Sequence, residues 1–430
     1  MALACGQALG RGLASNLPPR YAVRGRNLQS LPISAQPITQ RIDELDVLRG
    51  AALLGVFVVH FVGVPLYELS LDEATRDAFL ERLDHHIALF ISDFFFQNKA
   101  NTLFATLFGM GFWVMLQRLT ARDADFAAIY ARRLGTLLLI GLVNWFLFFP
   151  GDVLHEYALI GLVLLALRQW RAKTMLIVGI ALALFGSPIG SHVSAALGIS
   201  DEAFYETQRL AFELGEFWTY VRMMGGMYSE RDFLQAGLLG WGLYILGRFL
   251  IGAWVMRERW IERARDMLPQ VRRLLWIVLP VGAIAELWSL LIFMEVLPGG
   301  EMLDGALHMI GAPLMALGYA LLLISLCQSV TWRNTVLWFA PVGRIALTAY
   351  VLHGMVFTLI FMPFGLDALG VIGPSLCLLL ALALYIALTV FAVFWLAKFR
   401  YGPLEYLWRW ATYGQRPAFR KLRDSGSTAA

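Results

Sequence analysis

Apolar runs long enough to cross a lipid bilayer recur along this chain. Leu134 to Pro150 reads LGTLLLIGLVNWFLFFP, and Ser375 to Ala397 is a second run of the same character. The hydrocarbon core is about 30 Å thick, so a helix crosses it with about 20 apolar residues. Composition agrees: of 430 residues 59% are hydrophobic and 15% charged, mean hydropathy is +0.64, and an ordinary soluble domain carries about 25% charged residues. Alternation of the kind an outer-membrane strand needs is absent. The sequence therefore predicts an all-α fold, a polytopic transmembrane helical bundle.

Ten spans are predicted, at about 48–66, 94–116, 134–150, 157–168, 174–190, 234–256, 274–297, 305–327, 336–362 and 372–397. The fourth is short. Loop charge gives their direction. Arg118, Arg122, Arg132 and Arg133 fill the second loop, Arg168, Arg171 and Lys173 the fourth, and six arginines from Arg257 to Arg273 the sixth. The tail from Lys398 to Arg423 is basic again. The intervening loops YELSLDEATRDAFLERLDHH, GDVLHEY and GGEMLDG are acidic or free of lysine, or short. Cytoplasmic loops carry the excess of Lys and Arg, so this alternation predicts both termini in the cytoplasm.

Net charge +4 resides in those loops, and no nucleic-acid-binding motif accompanies it. Cys5, Cys327 and Cys377 have no paired spacing, which argues against a disulfide framework or thiolate metal site. Residues 1–40 carry Arg11, Arg20, Arg24 and Arg26 without an acid. They read as a basic disordered tail or as the product of a start codon placed too early, with an arginine-rich organellar presequence as the other option. The transmembrane domain is expected over 41–417, with an external interfacial segment near 191–231 and a disordered tail over 418–430. Gly237, Gly240, Gly242, Gly247 and Gly252 predict close helix approach in the sixth span.

Polar residues inside the apolar runs carry the functional information, because a charge at a helix centre costs about 2.5–3.5 kcal/mol on insertion. They are Arg49, His60, Asn144, Arg248, Glu286, His308, Arg344 and His353. Snorkelling to the interface is a competing role for Arg344. Arg248 is placed to pair with Glu286, while Asn144 and His308 suit interhelical hydrogen bonds. The histidines show no H-x-x-x-H or H-E-x-x-H spacing, so no metal is expected; a hydrolase elbow is also absent.

The segment LDVLRGAALLGVFVVHF places Arg49 and His60 eleven residues apart. Eleven residues return a helix to within about 20° of its starting face, about 16 Å further on. Asp46 lies one turn before Arg49. An imidazole titrates near neutrality and can accept a hydroxyl proton, and a guanidinium suits phosphate oxygens. A phosphate anchor with a base about 16 Å deeper fits a long donor such as acyl-coenzyme A. In the hairpin GDVLHEY, Asp152, His155 and Glu156 are candidates for binding the acceptor, with a plain solvated turn as the alternative.

Six further stretches carry a resemblance. LDVLRGAALLGV (45–56), TLFATLFGMGF (102–112), ARRLGTLLLIGL (131–142), FPGDVLHEYALIGL (149–162), PVGRIALTAYVLHG (341–354) and RYGPLEYLWRWATYG (400–414) resemble the YeiB-like family of bacterial membrane proteins, whose domain is labelled as of unknown function. The arginine followed eleven positions later by histidine is also similar to the membrane acyltransferase-3 family. That resemblance implies His60 as catalytic base with Arg49 as its partner, and Arg132 and Arg133 as donor-binding residues. The wider superfamily includes heparan-glucosaminide acetyltransferases, which implies acetyl-coenzyme A as donor and a sugar as acceptor. Members of the YeiB-like family often carry asparagine where this chain has His60.

The expected function is transfer of an acyl group from acyl-coenzyme A to a sugar or envelope glycan in the bacterial cytoplasmic (inner) membrane, by His60, Arg49 and Asp46. A transporter or flippase using Arg49 and Glu286, and a non-catalytic membrane partner, are the alternatives. The expected partners are the lipid bilayer, that acceptor and a second copy of the chain.

Overall fold

The computed structural model describes residues 42–65, 73–196, 216–227 and 236–421. The predicted basic tail over 1–40 lies outside the described residues, as do 197–215 and 228–235 of the outer segment and 422–430 of the C-terminal tail.

Every regular element among the described residues is helical. Helix α1 spans Asp43–Gly63, α2 Glu73–Leu80, α3 Leu83–Phe95, α4 Lys99–Thr120, α5 Phe126–Leu147 and α6 Leu154–Ala166. They are followed by α7 Ala172–Ala196, α8 Phe217–Met227, α9 Ala236–Arg257, α10 Leu268–Phe293 and α11 Gly300–Cys327. Short helices α12 Arg333–Val336 and α13 Ala340–Arg344 lead into α14 Ala346–Phe361, then α15 Pro374–Lys398 and α16 Pro403–Tyr413. The chain is a multi-pass helical membrane protein.

Eight of these helical segments are long and apolar enough to cross a bilayer, or nine if the bent pair Arg333–Arg344 and Ala346–Phe361 forms one span. The predicted span left over is the fourth, α6, whose 13 residues rise only about 20 Å, short of the hydrocarbon thickness. A second difference lies at the start of the second span. Residues 83–93, placed before the second predicted span, belong to a 38-residue segment from Leu83 to Thr120 that breaks between α3 and α4. Asn98 makes the break at φ 60°, a left-handed conformation that asparagine tolerates better than most residues.

Helix α1 sits at the centre, with 67% of its apolar window buried against 17% for α7. Its acidic first turn, Asp43, Glu44 and Asp46, complements the positive end of the helix dipole. Helix α9 lies between α7 and α4, as its glycines predict. A Cβ on Gly247 would come 2.4 Å from Ala183 N, and one on Gly252 1.9 Å from Thr106 O; only a glycine permits backbones this close. Within the segment expected to be external, α8 buries Tyr220 and Met224 while Trp218 is exposed, so one face of this helix is covered and another open.

Basic loops gather at one end. Arg257 donates to the Trp170 carbonyl and stands 5.1 Å over the Trp113 ring, which brings together the ends of α4 and α9 and the α6–α7 turn. A reporter active only in the cytoplasm should be active when fused after Arg122, Arg265 or Arg416 and silent after Asp77 or Asp304. Activity after Asp77 would reverse the orientation read from the loops.

Candidate functional site

The site begins where α1 crosses α13. A Cβ on Gly50 would lie 2.0 Å from the Phe339 carbonyl oxygen, and one on Gly343 1.9 Å from the Asp46 carbonyl oxygen. Two glycines thus let the chains touch backbone to backbone, and the Tyr385 hydroxyl ties α15 to the same point by donating to Gly50 O at 2.9 Å. Asp46 is buried, and Arg49 Nη1 lies 3.5 Å from its Oδ1. The chain bends by 74° after Arg344, which ends its short helix and lines the same cavity as Arg49.

Helix α16 closes this end. Its Glu405 accepts hydrogen bonds from the amides of Leu347 at 2.7 Å and Thr348 at 3.0 Å, and from the Thr348 hydroxyl at 2.6 Å. These are first-turn donors of α14, which have no partner within their own helix, so a carboxylate from a distant helix acts as the cap. Burial pushes the Glu405 carboxyl above the usual carboxylate range, while the Thr348 and Leu347 donors pull it back. On the next turn Trp408 Nε1 donates to Arg133 O at 2.8 Å, and the Arg133 guanidinium lies 3.4 Å above the Trp408 ring, a cation–π contact.

Between these elements is a cavity of about 260 Å³, lined by Arg49, Arg133, Arg344, Arg409 and Glu405 and, among its aromatic residues, by Tyr157 and Tyr350. Arg49 and Arg133 come together as the sequence predicted. Arg132 does not join them: it is exposed and off the cavity wall, because successive helix residues differ by about 100° in direction. Arg344 and Arg409 are additions. Arg344 stood among the intramembrane candidates, and Arg409 lies in the RYGPLEYLWRWATYG stretch without a role assigned from sequence.

His60 does not line this cavity. It lies behind Tyr350, whose ring meets it edge-on at 6.3 Å. The imidazole stacks on Phe149 at 4.6 Å, and its Nδ1 lies 2.7 Å from Nε2 of His353. His353 is fully buried, stacked on Phe57 at 4.8 Å, with its Nδ1 bonded to the Tyr350 carbonyl. The pairing of His60 with His353 was not foreseen, since nothing local relates residues 293 positions apart.

The hairpin residues have other occupations. Asp152 is buried and its carboxylate accepts from Asn144 Nδ2 at 2.8 Å, Leu154 N at 2.9 Å, His155 N at 3.2 Å and His155 Nδ1 at 3.0 Å. It caps α6 and ties the hairpin to α5. His155 is buried with it, and Glu156 accepts from Trp241 Nε1. Asp152 and His155 therefore hold the hairpin behind Phe149 rather than facing an acceptor outside.

A second polar group lies at the α3–α4 break. Lys99 is fully buried and Glu286 nearly so; Lys99 Nζ donates to Glu286 and, at 2.9 Å, to Asp93 O. His308 Nδ1 is 3.2 Å from Glu286 Oε1, and its Nε2 accepts from Asn98 at 2.6 Å. The expected pairing of Arg248 with Glu286 is thereby corrected. Lys99 is the cation beside Glu286, while Arg248 donates to Thr102 Oγ1 and Tyr244 O, both at 3.0 Å, and covers the Tyr244 ring at 3.2 Å. Interhelical bonding by His308 is as expected. Among the described residues no group of three or more His, Cys, Asp or Glu side chains is arranged to hold a metal ion.

Fold and site together define a multi-pass helical membrane protein with an arginine-lined cavity at its basic end. The chain belongs to the YeiB-like family of membrane proteins. It is 31% identical over 412 residues to the uncharacterized protein YxaH of Bacillus subtilis (strain 168), covering 88% of this chain and 96% of that one. It is 29% identical over 393 residues to the uncharacterized protein YeiB of Escherichia coli (strain K12), covering 86% and 95%. Residues 255–415 match the family described as protein of unknown function (DUF418). No solved structure matches the chain.

Proposed function

We propose that this protein is a bacterial cytoplasmic-membrane acyltransferase that carries an acyl group from acyl-coenzyme A to a sugar or envelope glycan. One observation carries the reading: four arginines line a single cavity at the basic end, and Tyr350 on its wall also meets His60. Guanidinium groups match phosphate oxygens in geometry and charge, and the nucleotide end of coenzyme A is rich in phosphate. The acceptor hydroxyl gives its proton to His60 as its oxygen attacks the thioester carbonyl carbon. The carbon–sulfur bond breaks, and the proton passes from the imidazolium to the departing thiolate, which leaves as free coenzyme A. No charge is left on the protein.

Donor affinity tests the anchoring role. Arg49→Ala should weaken binding of acetyl-coenzyme A by roughly 10- to 150-fold, the worth of a charge-assisted hydrogen bond of about 1.5–3 kcal/mol. Arg49→Lys should recover part of this, because an ammonium cannot reproduce the planar fork. Arg132→Ala, off the cavity wall, should bind as wild type does. Calorimetry in detergent reads all three, and equal affinities across the set would sink the donor site.

A transport reading has a specific observation of its own. The buried Lys99–Glu286 pair and the partly exposed His308 beside it lie at a helix break, and intramembrane ionisable clusters often mark ion or proton paths. Substrate accumulation in proteoliposomes without thioester cleavage would favour it.

A further inference from the structure

Two imidazoles in contact cannot choose their protons independently, and a third group settles the choice here. The Tyr350 carbonyl has only lone pairs to offer, so the His353 Nδ1 bonded to it carries the hydrogen. In a neutral ring the other nitrogen is then an acceptor. His353 Nε2 accordingly accepts, and the group 2.7 Å away, His60 Nδ1, must donate. That leaves His60 Nε2 as a bare lone pair, and among the described residues nothing is bonded to it.

We infer that His353 is a positioning residue that locks His60 in its Nδ1–H tautomer, so that Nε2 is held ready to accept a proton. The inference rests on the reading of His60 as general base, and it specifies which nitrogen acts. The lock is rigid for reasons already on view: His353 is fully buried, stacked on Phe57, and anchored to the backbone of its own helix one turn back. His60 is clamped on its other side by Phe149. When Nε2 takes a proton, the imidazolium keeps both its Nδ1–H bond to His353 and its ring contacts. His353 cannot accept from His60 and be protonated on Nε2 at once, so the pair holds one extra proton and no more. A neutral imidazole occupies the place where a hydrolytic triad puts a carboxylate, and it orients His60 without adding negative charge.

The test uses the full chain, labelled with ¹⁵N-histidine and reconstituted in lipid nanodiscs at neutral pH, with His60→Gln to identify the His60 resonances. The expected wild-type spectrum shows His60 Nδ1 protonated and Nε2 bare. His353→Phe keeps an aromatic ring on Phe57 but removes the acceptor, and should release His60 into the Nε2–H form that free imidazole favours. His353→Gln presents an amide oxygen near the former Nε2 and should restore the wild-type pattern. Coenzyme A release should fall at least tenfold in His353→Phe at unchanged donor affinity, and recover substantially in His353→Gln. A wild-type His60 found as the Nε2–H tautomer overturns the inference, as does a tautomer unmoved by His353→Phe. A protein with His60 in the Nδ1–H form that releases no coenzyme A overturns the acyltransferase reading and leaves the lock in place.

Discussion

Replacing His60 by alanine should slow coenzyme A release by about 10²–10⁴-fold, the usual contribution of a general base, and leave acetyl-coenzyme A affinity within about twofold of wild type. The separation follows from the geometry. Arg49 and Arg133 line the cavity whereas His60 sits behind Tyr350, so binding and proton transfer reside in different side chains. If the polar face of α1 only held helices together, His60→Ala would lower yield and melting temperature, and affinity would fall with them. Donor affinity, coenzyme A release and a thermal melt on one preparation separate the two. A fully active His60→Ala protein would return the residue to a structural role.

The largest loss of stability should come from Lys99→Met. Removing one partner of a buried ion pair costs about 3–5 kcal/mol, and loss of Lys99 leaves Glu286 with only the partly exposed His308 imidazole 3.2 Å away. Lys99 and Glu286 are 0% and 3% exposed, deep enough for most of that penalty. Lys99→Met with Glu286→Leu removes both charges and should recover most of the loss, since a well-packed apolar pair often replaces a buried ion pair without harm. Equilibrium unfolding in mixed micelles measures the cycle. A Lys99→Met protein within about 0.5 kcal/mol of wild type, the range typical of surface substitutions, would mean that a protonated His308, or water, compensates Glu286 in its place.

Features that depend on one helix were legible in the sequence. The eleven-residue interval put Arg49 and His60 on one face of α1 because a helical period is local, and apolar run length located the helices long enough to cross a bilayer. Features that depend on helix rotation were not. Arg132 and Arg133 are indistinguishable until the direction of the cavity is known, and only Arg133 faces it. Lys99 escaped notice because the chain reads as if one helix began near residue 94; the break at Asn98 instead turns the lysine inward to Glu286. Arg248 and Glu286 were paired by charge alone, a choice that a nearer cation overturned. His353 was visible as an intramembrane histidine, but its relation to His60 exists only once α1 and α14 lie side by side.

Among the described residues helix α16 is the last regular element, made after every helix long enough to cross a membrane, yet it supplies the Glu405 cap of α14 and the Trp408 plate beneath Arg133. During synthesis all the spans can therefore be inserted while the floor of the cavity is still inside the ribosome. Until residue 413 emerges, the first amides of α14 lack their carboxylate and Arg133 lacks the ring it rests on. A chain released before α16 would carry its long apolar helices without the wall that Glu405, Trp408 and Arg409 give the cavity, so the order of translation itself makes this cavity late.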